Sequence, residues 1–236
     1  MVKRAVARPI RAIRGEPVAG DGWPWHVPAV RQFLADGLEP GAVTILVGEN
    51  GSGKSTVVEA IAVAYGLSPE GGSTGARHTT RVTESPLSER LSLVRNPGSA
   101  RWGYFLRAET MHAFYTYLEA NPGGPDPVFH EMSHGESFVA MLTSRFQDPG
   151  LYVMDEPEAA LSFTNTLALT YLLAEVAQSE NRQAIIATHS PVLAALPGAG
   201  LFELGHWRMR RTEWSELALV AQWRRFLADP GRFLAD

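Results

Sequence analysis

The stretch VTILVGENGSGKST, Val43–Thr56, decides how the rest of the chain is read. Val43–Val47 is a short apolar run that reads as a buried strand. GENGSGKST then fits G-x-x-x-x-G-K-[ST], with Gly48, Gly53, Lys54 and Ser55 at the fixed positions. Glycines let a backbone curl until its N–H groups point inward at phosphate oxygens. Few breakers follow, so Lys54–Tyr65 reads as a helix whose N-terminus adds positive potential. The candidate nucleotide-binding residues are therefore Gly48, Asn50, Gly51, Ser52, Gly53, Lys54, Ser55 and Thr56. Lys54 is expected to reach the β- and γ-phosphates, and the Ser55 hydroxyl to ligate Mg²⁺. A chance glycine-rich turn is the plain alternative, and the strand before and helix after argue against it.

Working outward, LYVMDEP (Leu151–Pro157) is an apolar strand that ends in two acids. A buried parallel strand delivers its C-terminal side chains to the edge where the phosphate loop lies. Asp155 is the candidate second metal ligand, and Glu156 the candidate base that orients and deprotonates a water. QAIIATHSP (Gln183–Pro191) is another core strand, ending at His189, which stands 34 residues after Asp155. That interval holds one helix, expected over Leu161–Gln178, and a return strand. His189 is expected to touch a γ-phosphate, against the bland reading of a satisfied polar residue. Gly103–Arg107 reads as a strand, Thr110–Ala120 and Ser137–Phe146 as helices. Residues 77–101 are polar and arginine-rich, and the last 30 residues read as a strand pair followed by helices, with Trp214–Leu227 amphipathic. Strands alternating with helices imply an α/β domain with a largely parallel sheet.

Bulk properties narrow the partners. With 236 residues, 45% hydrophobic and 19% charged, the chain is long enough for a sizeable core. A net charge of −4 excludes a nucleic-acid polycation but leaves room for a basic patch. The absence of cysteine excludes disulfides and thiolate metal sites. Lys3, Arg4, Arg8, Arg11 and Arg14 stand without an acid in the first 14 residues. No apolar h-region follows them, so a solvated edge strand is expected rather than a secretory signal. No apolar run approaches the ~20 residues needed to cross a bilayer, and a soluble cytoplasmic protein without membrane insertion is expected.

HEMSHGESF, His130–Phe138, lies between the phosphate loop and the acidic strand, with Ser133 22 residues before Asp155. The order phosphate loop, SHGE, MDE, THS resembles the ABC-type ATPases. Their signature segment, typically LSGGQ, starts a helix about twenty residues before the acidic strand. Met132, Ser133, His134, Gly135 and Glu136 align with it. The resemblance implies that Ser133, His134, Gly135 and Glu136 contact the γ-phosphate of ATP held by a second subunit. Ser133 with Glu136 also satisfies a capping box, and the two readings are compatible. PEAALS (Pro157–Ser162) matches the family's dimer-contact loop. His134 replaces a usual Gly and Glu136 a usual Gln. The family's glutamine between phosphate loop and signature is missing, since no Gln occurs from Lys54 to Ser133. Glu109, ending FLRAE, is the candidate substitute and a further candidate metal ligand. SHGE with FLRAE looks like the small stand-alone bacterial AAA/ABC-like ATPases of the Rad50/SMC-related group, without a coiled coil. The resemblance extends to the FL-x-x-P-x-R-F-L run at Phe226–Leu234.

The implied fold is a P-loop NTPase with an ABC-ATPase-like head, a mixed or parallel sheet and a small helical subdomain over about 105–147, all in one domain spanning 1–236. The implied activity is ATP hydrolysis with Mg²⁺, using Lys54, Glu156 and His189, in a homodimer that forms on ATP binding and acts on a partner protein or a nucleic acid. Two alternatives stand: the nucleotide-binding subunit of an ABC transporter, and a Rad50/RecF-like repair ATPase. Pro97, Pro122, Pro125 and Pro127 interrupt the interval where a repair head would insert its long coiled coil. Nucleic acid would bind through the arginines from Arg77 to Arg107 and Arg208, Arg210 and Arg211, although scattered surface arginines are the default. Trp23 and Trp25 are each read as core, with adenine stacking as the alternative.

Overall fold

The computed structural model describes residues 7–74, 85–107, 143 and 146–234. Glu109, Ser133, His134, Gly135, Glu136, Arg77 and Arg81 lie outside the described residues, as do the expected helix over Thr110–Ala120 and nearly all of the subdomain assigned to 105–147.

In chain order the described elements begin with β1 (Ile10–Gly15), α1 (Pro28–Asp36), β2 (Val43–Gly48), α2 (Lys54–Tyr65), β3 (Gly72–Ser73), β4 (Leu91–Arg95) and β5 (Gly103–Arg107). They continue with β6 (Gly150–Asp155), α3 (Phe163–Ala177), β7 (Arg182–Thr188), α4 (Pro191–Ala194), β8 (Gly200–Gly205), β9 (Arg208–Thr212), α5 (Ala218–Ala228) and α6 (Gly231–Leu234). Seven strands form one sheet in the order β3-β5-β6-β7-β2-β8-β9. β5, β6, β7, β2 and β8 run parallel, while β3 and β9 are antiparallel edges.

The sheet is covered on both faces, which is why its strands read as continuous apolar runs rather than alternating ones. Alternation reappears in how the residues are shared. Leu46, Leu151, Val153, Ile185 and Ala187 pack with α1 and α2. Val43, Ile45, Val47, Tyr152, Met154, Ala184 and Ile186 pack with α3 and α4 on the other face. Because β7 lies between β6 and β2, the acidic strand and the phosphate-loop strand both flank the strand that ends before His189. All three chain reversals therefore meet at one edge of the sheet.

Three sequence-based expectations need correction. The N-terminal strand forms with Arg11 and Arg14 exposed, as expected, but its other face is not solvated: Ile10 and Ile13 are buried, and the Gln183 side chain bonds both Ile10 N and Ile10 O, at 2.8 and 2.9 Å. The polar stretch 77–101 contains a regular strand, β4, paired antiparallel to β1 in a separate two-stranded sheet. Its arginines hide a weak alternation, since Leu91 and Leu93 face the core. Helix α1 was not expected at all. Pro28 opens it, and Ala29, Val30, Phe33 and Leu34 form its buried face. The helix expected over Leu161–Gln178 is Phe163–Ala177, capped by Ser162, whose hydroxyl accepts from Asn165 N.

Candidate active site

β2 ends at Gly48, and the loop to α2 turns through left-handed backbone at Gly51 (φ 78°) and Gly53 (φ 97°). Gly48 and Gly53 are also constrained by space. A Cβ on Gly48 would sit 2.3 Å from Leu204 O and 2.8 Å from Ser52 Oγ. A Cβ on Gly53 would press on Val27 and Val30 of the α1 region, at 3.0 and 3.1 Å. Gly53 is also the N-cap of α2 and makes no side-chain cap, so the first N–H groups of the helix are left to a ligand. Ser52 Oγ is buried with no hydrogen-bond partner among the described residues, which marks a polar position built for something that enters the loop.

Lys54 is only 3% exposed, and its Nζ donates to Glu49 O at 3.1 Å, folding the side chain back over the loop. Burial pulls its ammonium below the usual lysine value, opposed by Glu156, Asp155, Glu158 and Glu49 in that order. A buried cation with one backbone partner has two N–H groups left for phosphate oxygens.

Asp155 ends β6 in register with Ala187 of β7 on one side and Arg107 of β5 on the other, and it is 7% exposed. The Arg107 guanidinium bonds Glu59 Oε2 of α2 and Pro69 O, at 2.8 and 2.9 Å, and stands 3.9 Å from Asp155 Oδ2. Glu156 follows with φ 50° and ψ 50°, a left-handed conformation rare for a residue with a side chain. Such backbone costs on the order of 1–3 kcal/mol and persists where surroundings over-determine it. Here the Glu156 N–H is tied to Ala187 O at 2.9 Å and Pro157 starts a short 3-10 turn. Glu156 Oε1 then lies 2.9 Å from His189 Nε2, at ion-pair distance but without hydrogen-bond alignment. Asp155, Glu156 and His189, read separately from two strand ends, are thus brought together beside the glycine loop.

An open cavity of about 1130 Å³ runs from this edge, lined by Gly48–Ser52, Glu156 and His189 together with His26, Trp207, Arg210 and Gln222, whose amide donates to Glu49 Oε1 at 3.4 Å. Trp207 and Arg210 stack at 4.7 Å, and Arg210 also holds the buried Glu203 carboxylate at 2.6 Å. The core reading of Trp25 stands, since it packs on the inner cluster, but Trp23 is 56% exposed and lines no part of this cavity. Several expected nucleic-acid arginines are engaged within the chain: Arg90 faces Glu16 at 3.8 Å, Arg95 covers the Tyr65 ring at 4.1 Å, and Arg107 and Arg210 are bound as described.

Sequence reasoning missed Arg107 as a site residue by counting it among surface arginines, although its place at the end of β5 beside Asp155 was a usable signal. It also passed over Glu158, whose Oε1 accepts from Thr188 Oγ1 and from His189 N, both at 2.6 Å. For a metal, Ser55 at the start of α2 and Asp155 offer the hard oxygen donors that Mg²⁺ takes. No cluster of three or more His, Asp or Glu able to hold a metal by itself occurs among the described residues.

A glycine loop between a parallel strand and a helix, with the acidic strand β6 separated from the loop's strand β2 by β7 alone, gives the P-loop NTPase fold. The chain belongs to the family described as "AAA domain, putative AbiEii toxin, Type IV TA system", whose model matches residues 43–124 and 115–195. Among curated proteins it is 29% identical over 188 residues to the ribose import ATP-binding protein RbsA of Roseobacter denitrificans, covering 69% of this chain and 36% of that protein. It is 28% identical over 188 residues to the phosphonates import ATP-binding protein PhnC 1 of Rhodopseudomonas palustris, covering 66% of each. The chain thus spans little more than a third of the length of the ribose import relative. Among solved structures, it is similar to an SMC head domain from Thermotoga maritima, with TM-score 0.45, 18% identity and coverage of 75% of this chain and 93% of that one. It is also similar to a bacterial Atm1-family ABC exporter with ATP bound, with TM-score 0.47, 14% identity and coverage of 94% and 43%. No described helix is long and apolar enough to cross a membrane.

Proposed function

We propose that the chain binds Mg-ATP at the glycine loop and hydrolyses it, with Glu156 as the general base. The observation that carries this reading is the meeting of a buried Lys54, Asp155 and a strained Glu156 with His189 at one sheet edge. The phosphates lie in the cradle of Gly48, Asn50, Gly51, Ser52, Gly53, Lys54, Ser55 and Thr56, where backbone N–H groups and Lys54 neutralise their charge. Ser55 and Asp155 would hold Mg²⁺, which would supply neutralisation of the phosphate charge; Glu109 is a further candidate. Glu156 accepts a proton from water as the water oxygen bonds to the γ-phosphorus. The bond from that phosphorus to the β–γ bridging oxygen breaks, and ADP and phosphate leave. His189, facing Glu156, donates to the γ-phosphate and holds it in line.

The second part of the proposal is that Ser133, His134, Gly135 and Glu136 complete the site of a second copy, so that two ATP molecules are sandwiched in a homodimer that acts on a partner protein. Light scattering tests it. Glu156→Gln with Mg-ATP is expected to double in mass at tens of micromolar, and Ser133→Arg to bind ATP yet remain a monomer. A hydrolysis rate per chain that is independent of concentration, with a monomer throughout, refutes the composite site. A second reading, the ATP-binding subunit of an importer, is favoured by the names of the relatives quoted above. It requires stable co-purification with a membrane protein, which the stand-alone reading does not.

A further inference from the structure

We propose that Glu158 is a positioning residue for the reaction, setting His189 against Glu156 and the γ-phosphate. The inference rests on the hydrolytic reading above and adds a residue to it.

Glu158 lies two residues after the candidate base, in the 3-10 turn Pro157–Ala160 that the left-handed Glu156 opens. One of its oxygens, Oε1, accepts the Thr188 hydroxyl and the His189 backbone N–H, each at 2.6 Å. Thr188 is fully buried, and its Oγ1 in turn accepts the Ser190 N–H at 2.9 Å. Three consecutive residues at the end of β7 therefore direct their polar groups onto one carboxylate, either directly or through Thr188. Charge-assisted bonds of this length are the strong kind. They fix the backbone from which the His189 imidazole projects, and that imidazole is the group 2.9 Å from Glu156 Oε1. The base and the anchor of the histidine thus belong to one short turn, and a shift of that turn moves both together.

Glu158 Oε2 is buried with no hydrogen-bond partner among the described residues. What the arrangement secures is the placement of a single acceptor beneath the His189 N–H. Misplacing a reacting or stabilising group by about 1 Å can cost on the order of a hundredfold in rate.

Glu158→Gln keeps an acceptor oxygen at the same place, whereas Glu158→Ala removes it. In the full chain with Mg-ATP, Glu158→Ala is expected to lower kcat by roughly 10- to 100-fold with KM and calorimetric ATP affinity within threefold of wild type. Glu158→Gln is expected to recover at least a third of the wild-type kcat. In the His189→Ala background, Glu158→Ala should cost less than twofold, because its route to the reaction is already gone. By NMR without nucleotide, the His189 imidazole signals, assigned by their loss in His189→Ala, should move in Glu158→Ala and hold in Glu158→Gln. The proposal is overturned by wild-type turnover in Glu158→Ala, by an undiminished Glu158→Ala effect in the His189→Ala background, or by unmoved His189 signals. If Glu158→Ala does not fold, Thr188→Val takes its place: it removes one of the two bonds and should shift the same signals and lower kcat by about threefold, and unchanged values for both overturn the proposal. A wild type that binds ATP without hydrolysing it refutes the hydrolytic reading instead, while the NMR arm still decides the role of Glu158.

Discussion

Replacing Lys54 with Met should separate what the phosphate loop contributes to binding from what it costs the fold. Nζ carries three N–H groups, and one of them already serves Glu49 O at 3.1 Å. Two remain for phosphate oxygens. At about 1.5–3 kcal/mol for each bond to a charged group, their loss amounts to about 3–6 kcal/mol, or roughly 10²- to 10⁴-fold in ATP affinity. Stability should move the other way. Burial lowers the pKa of Lys54 below the usual lysine value of 10.5, so the unfolded chain holds that proton more tightly than the folded one. The mismatch weakens the fold at neutral pH, and the penalty disappears as pH climbs through the folded value toward 10.5. Without nucleotide, Lys54→Met should therefore melt at or above the wild-type temperature at pH 7, and the wild type should gain on it between pH 7 and about 10. Calorimetric titration with ATP and thermal melts over that pH range read both quantities. An affinity within threefold of wild type would refute the placement of phosphate at Lys54. A Lys54→Met protein that melts several degrees lower at pH 7 and runs parallel to wild type with pH would refute the strain assigned to the buried ammonium.

Gly48→Ala places a Cβ 2.3 Å from Leu204 O, a backbone atom that cannot swing away. It should cost about 1–3 kcal/mol and lower the melting temperature by roughly 2–12 °C, with ATP binding lost, and a melt within one degree of wild type counts against the close approach of β2 to β8. Gln183→Leu removes the side chain that bonds Ile10 N, Ile10 O and Gly41 O. It should destabilise the chain by about 3 kcal/mol and expose β1 to proteolysis, whereas an unchanged urea midpoint shows that β1 is held by packing alone. Arg107→Leu strands Glu59 on α2 without its 2.8 Å partner. A loss of about 3–5 kcal/mol is expected, with weaker Mg²⁺ dependence of any ATP binding that survives; stability within 0.5 kcal/mol of wild type would show that this pair does not hold α2 to the sheet.

The parts legible in the sequence were those where local chemistry and tertiary role coincide. The glycine loop has to be glycine-rich whatever surrounds it, and the strands before Gly48, Asp155 and His189 are apolar because both faces of the sheet are covered. Other parts depend on contacts far apart in sequence. β4 is a strand because β1 pairs with it across about eighty residues, and nothing local in LSLVR requires that partner. Helix α1 announces itself only weakly, through Pro28 and four apolar positions among polar neighbours. Arg107 and Glu158 looked like ordinary charges until β5 and β7 were set beside β6, since each acts on a residue of another strand. The left-handed Glu156 was invisible for the same reason: its conformation is imposed by the bond to Ala187 O, not by the residue itself.

Hydrolysis through Glu156 is tested most directly by single-turnover phosphate release, with wild type and Glu156→Gln each mixed at equal chain concentration with substoichiometric Mg-ATP. The amide keeps the shape and the place beside His189 but cannot take the proton. Glu156→Gln should bind ATP within threefold of wild type and release phosphate at least about a hundredfold more slowly. Equal release rates in the two proteins, or no phosphate from a wild type that demonstrably binds ATP, would contradict the assignment of Glu156 as the base.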